Sequence, residues 1–159
     1  MAIVNPTVAQ IEAFERAAPD DKPIVMINLL RFRETADYGA GGPTGVTGRS
    51  AYQRYSKGAM PLVWEVGGQA LWMGKVRAGV IVPDGEAWDE VVLVYYPSRR
   101  AFVRMVRSDA YREIMPHRTA ALADARLIET HAVRLPRWIL GAARGLRRAR
   151  ALVHPAIPR

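Results

Sequence analysis

Hydrophobic and polar positions along the chain switch repeatedly between the helical and the strand period, and the order of those switches predicts a fold. Thr7 followed by Gln10 forms a capping-box pattern, and Val8, Ile11, Phe14 and Ala18 recur at helical spacing up to Pro19. This predicts an amphipathic helix over 7–18. The run Ile24-Val25-Met26-Ile27-Asn28-Leu29-Leu30-Arg31-Phe32 is apolar on both alternating faces, as expected of a central strand. Residues 34–48 are rich in glycine and aperiodic, which predicts a long loop. Its Gly41-Gly42-Pro43-Thr44-Gly45 lacks the Lys-Ser/Thr ending of a phosphate-binding loop. Ser50 with Gln53 gives a second capping-box pattern, and Tyr52, Tyr55, Ala59, Leu62 and Val66 share one helical face behind it. Pro61 is expected to kink or split that helix, and Gly67-Gly68 to end it.

The second half repeats the plan. Residues 69–82 predict a long strand, with a bulge or close backbone approach at Gly74 and Gly79, before a turn at Pro83-Asp84-Gly85. Residues 88–96 are β-branched and aromatic, hence a strand, and Pro97-Ser98 stops it and caps a helix whose inner face is Ala101, Phe102, Met105 and Val106. Ser108-Asp109 breaks and recaps that helix, Pro116 opens another short helical turn, and 126–133 predicts the last strand. Leaving aside the first helix, the order is βαββαβ. That is the ferredoxin-like α+β arrangement, a four-stranded antiparallel sheet with helices on one face.

Composition narrows the function classes. With 159 residues and half of them hydrophobic, the chain can bury one good core. It has no cysteine, which removes thiolate chemistry, disulfides and cysteine-bound metal centres and fits a cytoplasmic location. No apolar run approaches the roughly 18–20 residues needed to span a bilayer, and residues 1–19 carry no basic-then-apolar secretory pattern. The net charge of +8 is unevenly placed: residues 1–133 hold 16 basic against 15 acidic side chains, whereas 134–159 hold seven arginines and no acid. Two units follow, a nearly neutral body over 1–133 and a basic extension over 134–159. In the extension Leu135, Trp138, Ile139, Ala142, Leu146, Ala149 and Val153 fall on one helical face and Arg137, Arg144, Arg147 and Arg148 on the other. Such a helix either packs on the body or a partner subunit, or lies on an anionic membrane as a peripheral anchor. Nucleic acid is not expected as a partner, because no aromatic-and-basic surface accompanies it.

The blocks INLLRFRE, AYQRY, GGQALWMGKV and residues 88–128, with Tyr-Pro-Ser, Ala-Phe, Ser-Asp-x-Tyr and His-Arg in order, resemble the family catalogued as domain of unknown function 1330. The resemblance spans about 24–131 and implies a homodimeric α+β barrel, in which two open sheets close around a shared interior. It implies no established reaction. The wider superfamily includes haem-degrading monooxygenases, cofactor-independent oxygenases and small-molecule isomerases. Its haem-degrading members place a Trp where Met105 stands here and the haem-ligating His where Met115 stands, so no haem or other cofactor is expected.

The candidate chemistry centres on His117 and Arg118, taken with Tyr95 and Tyr96 at the end of the third strand. A histidine can act as acid or base near neutral pH and an arginine can hold an enolate or carbonyl oxygen. The alternative has His117 capping a helix and Arg118 pairing with a surface acid. Asn28, polar on an apolar strand, either satisfies neighbouring backbone or lines a pocket. Tyr52, Tyr55, Trp64 and Trp72 either pack the core or wall an aromatic cavity for an apolar ligand. Asp84, Glu86, Asp89 and Glu90 read as a solvated acidic cluster. The histidines at 117, 131 and 154 show no metal-ligand spacing. The sequence therefore predicts a dimer that binds a small, largely apolar molecule. It is either a cofactor-independent oxygenase or proton-transfer enzyme, or a non-catalytic ligand-binding or dimerisation module.

Overall fold

Four hydroxyl side chains decide where the helices start. Thr7, Thr47, Ser98 and Ser108 each adopt extended backbone and accept a hydrogen bond from the amide three residues on, which satisfies an otherwise orphaned N–H of the first turn. They open α1 (Val8–Arg16), α2 (Gly48–Glu65), α3 (Arg99–Val106) and α4 (Asp109–Ala121). The strands between are β1 (Ile24–Phe32), β2 (Gln69–Lys75), β3 (Glu90–Tyr96) and β4 (Leu122–Thr130). The computed structural model describes residues 3–17 and 22–132. The amphipathic helix expected within 134–159 lies outside the described residues.

The four strands form one antiparallel sheet in the order β2-β3-β1-β4, so β1 lies between β3 and β4, and β2, which follows β1 in sequence, takes the edge beside β3. With α2 and the α3–α4 pair as crossovers, this is the ferredoxin-like α+β fold predicted from the sequence, with β1 central as expected. The long 33–47 loop is pinned where Thr35 bridges Thr47.

Several boundaries differ from the sequence reading, each for a local reason. Helix α2 starts earlier than the Ser50 pattern suggested, because Thr47 is the cap and its hydroxyl donates to Ser50 Oγ at 2.9 Å. Pro61 does not divide α2, and Pro116 stands inside α4 rather than opening a separate turn. Strand β2 stops at Lys75 instead of reaching 82, because Val76 N–H to Asp89 O (2.9 Å) is the last rung before the partner strand ends. The irregularity in β2 falls between Ala70 and Trp72 rather than at a glycine, and the Trp72 indole covers Gly74, the close approach that position permits. Strand β4 begins at Leu122, immediately after α4, instead of at 126.

Strand alternation then sorts side chains onto two faces. Ile24, Met26, Asn28, Leu30 and Phe32 of β1 face the helices, with Tyr96, Val94, Val92 and Glu90 opposite them on β3. The other face carries Val25, Ile27 and Leu29 of β1, Val91, Leu93 and Tyr95 of β3, Trp72 of β2 and Ile128 of β4, with nothing packed over them among the described residues. Trp72 is 54% exposed and Ile128 47%.

Candidate functional site: a tyrosine-lined seam between two cores

The space between sheet and helices is filled by two separate hydrophobic clusters. One gathers Leu30, Ala51, Ala120, Ala121, Leu122 and Ala125, with Phe32, Tyr52 and Val92 packed at its edge. The other gathers Ile24, Met26, Val63, Tyr96, Phe102 and Met105, with Val94 and Tyr111 at its edge. Along β1 the clusters meet at one position, the half-buried Asn28 between Met26 and Leu30. Its amide donates to Val92 O at 3.3 Å, across the β1–β3 pair. The residue opposite it on β4, Leu127, remains 42% exposed, so the helix-side face thins toward that edge.

On the helix side the same gap is crossed by three tyrosines. Tyr52 and Tyr55 of α2 lie ring to ring at 5.3 Å, and Tyr55 meets Tyr111 of α4 edge-on, their hydroxyls 3.0 Å apart. Tyr52 also leans on Phe32 at 5.3 Å, which ties the row to the first cluster. Burial pushes the Tyr52 phenol up to about 12, with the nearby Arg118 charge opposing the rise and Tyr111 and Glu90 adding to it. Burial likewise raises Tyr55 well above its ordinary value, and Tyr96 too. These phenols therefore stay protonated through the physiological range and can donate hydrogen bonds.

Arg118 is the unusual member. It comes from α4, is only 7% exposed, and directs Nη1 to Val4 O at 2.5 Å and Asn5 Oδ1 at 3.1 Å. Both acceptors are neutral, and among the described residues no carboxylate pairs with it. The surface acid expected as its partner is replaced by the segment before α1, which is strapped to β4 by Ala125 N–H to Ile3 O at 2.9 Å. Arg118 stands close enough to Tyr52 and Tyr55 to influence both phenols.

His117, one residue earlier, turns elsewhere. Its Nδ1 lies 2.8 Å from the hydroxyl of Tyr38 in the 33–47 loop, with the rings edge-to-face at 5.6 Å. Tyr38 also walls an open depression of about 450 Å³ on the outer side of α4, with Asn5, Met115 and Thr119. The structure thus brings Asn28, Tyr52, Tyr55, Tyr96 and Arg118 to the helix side of the sheet. It gives His117 and Arg118 different partners. It separates Tyr95 from Tyr96, since neighbours on a strand point to opposite faces, and leaves Tyr95 with Trp72 on the open face.

Sequence reasoning missed three residues. Tyr111 closes the tyrosine row, and its inward register on α4 was the available signal. Tyr38 lay in a loop without periodicity. Glu90 was grouped with solvated acids, yet it is 7% exposed and ion-paired with Arg49, whose guanidinium sits 4.9 Å over the Phe32 ring. Its place opposite Leu30 on the inner face is the reason. Asp89 of the same group accepts the Phe32 amide at 2.7 Å. Of the two positions that separate this chain from haem-degrading relatives, Met105 is buried against the Tyr96 hydroxyl and Met115 lines the outer depression. Among the described residues no group of three His, Asp or Glu side chains is placed to hold a metal ion.

Topology and site together define a ferredoxin-like α+β protein with a polar seam between its sheet and its helices. The chain belongs to the family described as Domain of unknown function (DUF1330), whose model matches residues 43–131. It is similar to a protein of unknown function from Rhodopseudomonas palustris, at 36% identity over 85% of this chain and 100% of that one, with a TM-score of 0.77. The methylated form of that protein gives 38% identity over 84% and 96%, again with a TM-score of 0.77. An Arabidopsis thaliana protein, 14% identical over 71% of this chain and 98% of its own, shares the fold with a TM-score of 0.50. No functionally curated protein matches the chain.

Proposed function

We propose that the protein binds a small, largely apolar molecule in the seam between its sheet and helices, and that it does so as a homodimer closed through the open sheet face. The observation that carries the reading is the division of the core: two clusters meet at a half-buried asparagine and are bridged by tyrosines rather than by aliphatic packing. A core built only for stability fills such a gap with close-packed aliphatic side chains, because buried hydroxyls and amides cost free energy unless each is paired. Asn28, Tyr52, Tyr55 and Tyr96 are the walls of this site, while Trp72 and Tyr95 line the interior shared by the two sheets. Neutral 2-naphthamide should bind saturably at one molecule per chain, and Tyr55→Trp, which enlarges a side chain bridging the seam, should abolish it. Binding of the probe that is non-saturable, or unchanged in the variant, defeats the reading.

A second reading, cofactor-independent proton transfer or oxygenation, draws on the His117–Tyr38 pair beside the open depression. In it His117 is the acid or base, and Arg118 and Asn28, expected from the sequence to attend the substrate oxygen, take no part because they turn to other partners. Small molecules that co-purify can be identified by mass spectrometry and returned to the protein in deuterium oxide. Deuterium incorporation catalysed by the wild type and lost in His117→Gln is expected of the enzyme, whereas no incorporation leaves a binding module. A membrane-peripheral version rests on the seven arginines of 134–159. It predicts co-sedimentation with phosphatidylserine vesicles that disappears when 134–159 is deleted, and retention after deletion refutes it.

A further inference from the structure

The connection between β2 and β3 is longer than a hairpin needs. Such connections take about 2–5 residues, whereas here the chain runs from Val76 to Asp89, a length that in compact domains usually marks a functional loop. Its root is firmly tied: Val76 N–H donates to Asp89 O at 2.9 Å, and Asp89 N–H to Leu30 O at 2.8 Å. Further out the Glu86 amide donates to Pro83 O at 3.1 Å, and the Glu86 carboxylate accepts the Trp88 indole N–H at 2.8 Å. Gly79 lies so close to the Val82 side chain that an added Cβ would stand 2.6 Å from a methyl carbon. The segment is thus a shaped arm, bonded to itself and to the sheet. Its tip nevertheless carries the most exposed large apolar side chains among the described residues, Val80 at 93% and Ile81 at 95%. Two adjacent aliphatic side chains left in water forgo nearly all that their burial would contribute.

Three observations bear on what covers the tip. The arm continues β2 and β3 without a break, and those strands carry Trp72, Val91, Leu93 and Tyr95 of the open face. Its root leans to that same side of the sheet: Arg126, opposite Leu29 on the open face, holds its guanidinium 5.2 Å over the Trp88 ring. The open face alone offers eight apolar side chains, whereas a standard interface engages roughly 20–30 residues a side. A partner that covers the face therefore has to take up neighbouring surface as well, and the arm is the apolar surface adjoining it. We infer that the 76–89 arm is a clasp, with Val80 and Ile81 of each copy burying against the second copy at the rim of the paired sheets. A two-fold axis gives each arm to the other subunit, so the contact is reciprocal and the assembly closes at two chains. The inference rests on the open-face dimer proposed above and adds to it a contact that the sheets themselves do not supply.

The test uses the full chain. In a sedimentation dilution series, Val80→Ser combined with Ile81→Ser should raise the dimer dissociation constant about 100-fold or more, the scale of withdrawing two buried aliphatic side chains from each partner. Circular dichroism and the thermal unfolding of the dilute chain should not change, because both positions are bare in the single copy. The sequence has no cysteine, so Ile81→Cys carries one environment-sensitive fluorophore such as acrylodan. Its emission should shift to the blue as the chain is concentrated past its dimerisation midpoint, and should stay that of a solvated dye when Leu93→Asp is added. A double variant with wild-type affinity, or an unshifted dye on a labelled chain that still dimerises, overturns the inference and leaves the open-face dimer standing. Loss of binding to phosphatidylserine vesicles with dimerisation intact assigns the tip to a membrane and overturns it equally. A wild type that stays monomeric throughout the series overturns both the clasp and the dimer.

Discussion

Tyr52, Tyr55 and Tyr96 are three of the six tyrosines, and burial raises all three phenols. A phenol whose folded value exceeds its unfolded value near 10 contributes stability that is complete below that pH and drains away as the pH climbs through the folded value. Stability should therefore hold through neutral pH and begin to fall above about 10, the Tyr52 contribution being lost by about 12 and those of Tyr55 and Tyr96 continuing to drain beyond it. In an ultraviolet phenolate titration about half of the tyrosines should ionise only together with the loss of circular dichroism, and smooth ionisation of all six in a folded protein contradicts this. A second residue-scale constraint is Gly48, the first residue of α2. A Cβ there would collide with the backbone carbonyls of Arg33 and Ala121, neither of which can swing aside. Gly48→Ala should cost about 2–3 kcal/mol in urea denaturation, a typical cost for overpacking against rigid neighbours.

At the scale of elements, Arg99 joins three of them. It stands in the first turn of α3, reaches Glu129 of β4 with bonds of 2.5 and 3.2 Å, and lies 4.7 Å over the Phe14 ring of α1. Both charged side chains are largely buried, at 12% and 15% exposure. Removing one leaves the other stranded, so Glu129→Ala should destabilise by about 3 kcal/mol, with amide exchange rising in α1 and α3 ahead of α2. A loss below about 0.5 kcal/mol, the scale of an exposed pair, contradicts it. Most elements were legible in the sequence because capping residues, glycines and prolines act locally: Thr7, Ser98, Ser108 and Gly67 each do what their chemistry predicts. The failures are non-local. Residues 80–82 are Val-Ile-Val and strand-like in isolation, but no partner strand reaches them, and Val80 and Ile81 are 93% and 95% exposed. The start of β4 is Leu-Ala-Asp-Ala, indistinguishable from helix by composition, and pairing with β1 makes it strand. The seam failed differently: periodicity placed Tyr52 and Tyr55 inward but could not show that Tyr111 joins them, or that His117 and Arg118 part company.

For the whole molecule the open face of the sheet is the dominant fact. Eight apolar side chains, from Val25 to Ile128, face outward from all four strands in a continuous patch, of a kind that marks an interface more often than a solvated surface. A second copy of the chain, related by a two-fold axis, offers the matching patch. Light scattering at micromolar concentration should give twice the 17.7 kDa chain mass, and Leu93→Asp, a charge in the middle of the patch, should give the chain mass itself with the circular dichroism unchanged. A wild-type monomer under those conditions rules the dimer out.

The sheet that separates the seam from the open face is a single layer of backbone. Asn28 donates to Val92 O on one side, while Leu29 and Val91, the next residues along both strands, project from the other. In the proposed ligand-binding dimer, occupancy of the seam and self-association would share this strand pair, and any coupling between them would act equally in both directions. Apparent ligand affinity should then depend on protein concentration, tightening as the chain is concentrated past its dimerisation midpoint, and saturating ligand should lower that midpoint by the same factor. A protein of this design would report its own abundance through how firmly it holds a small molecule.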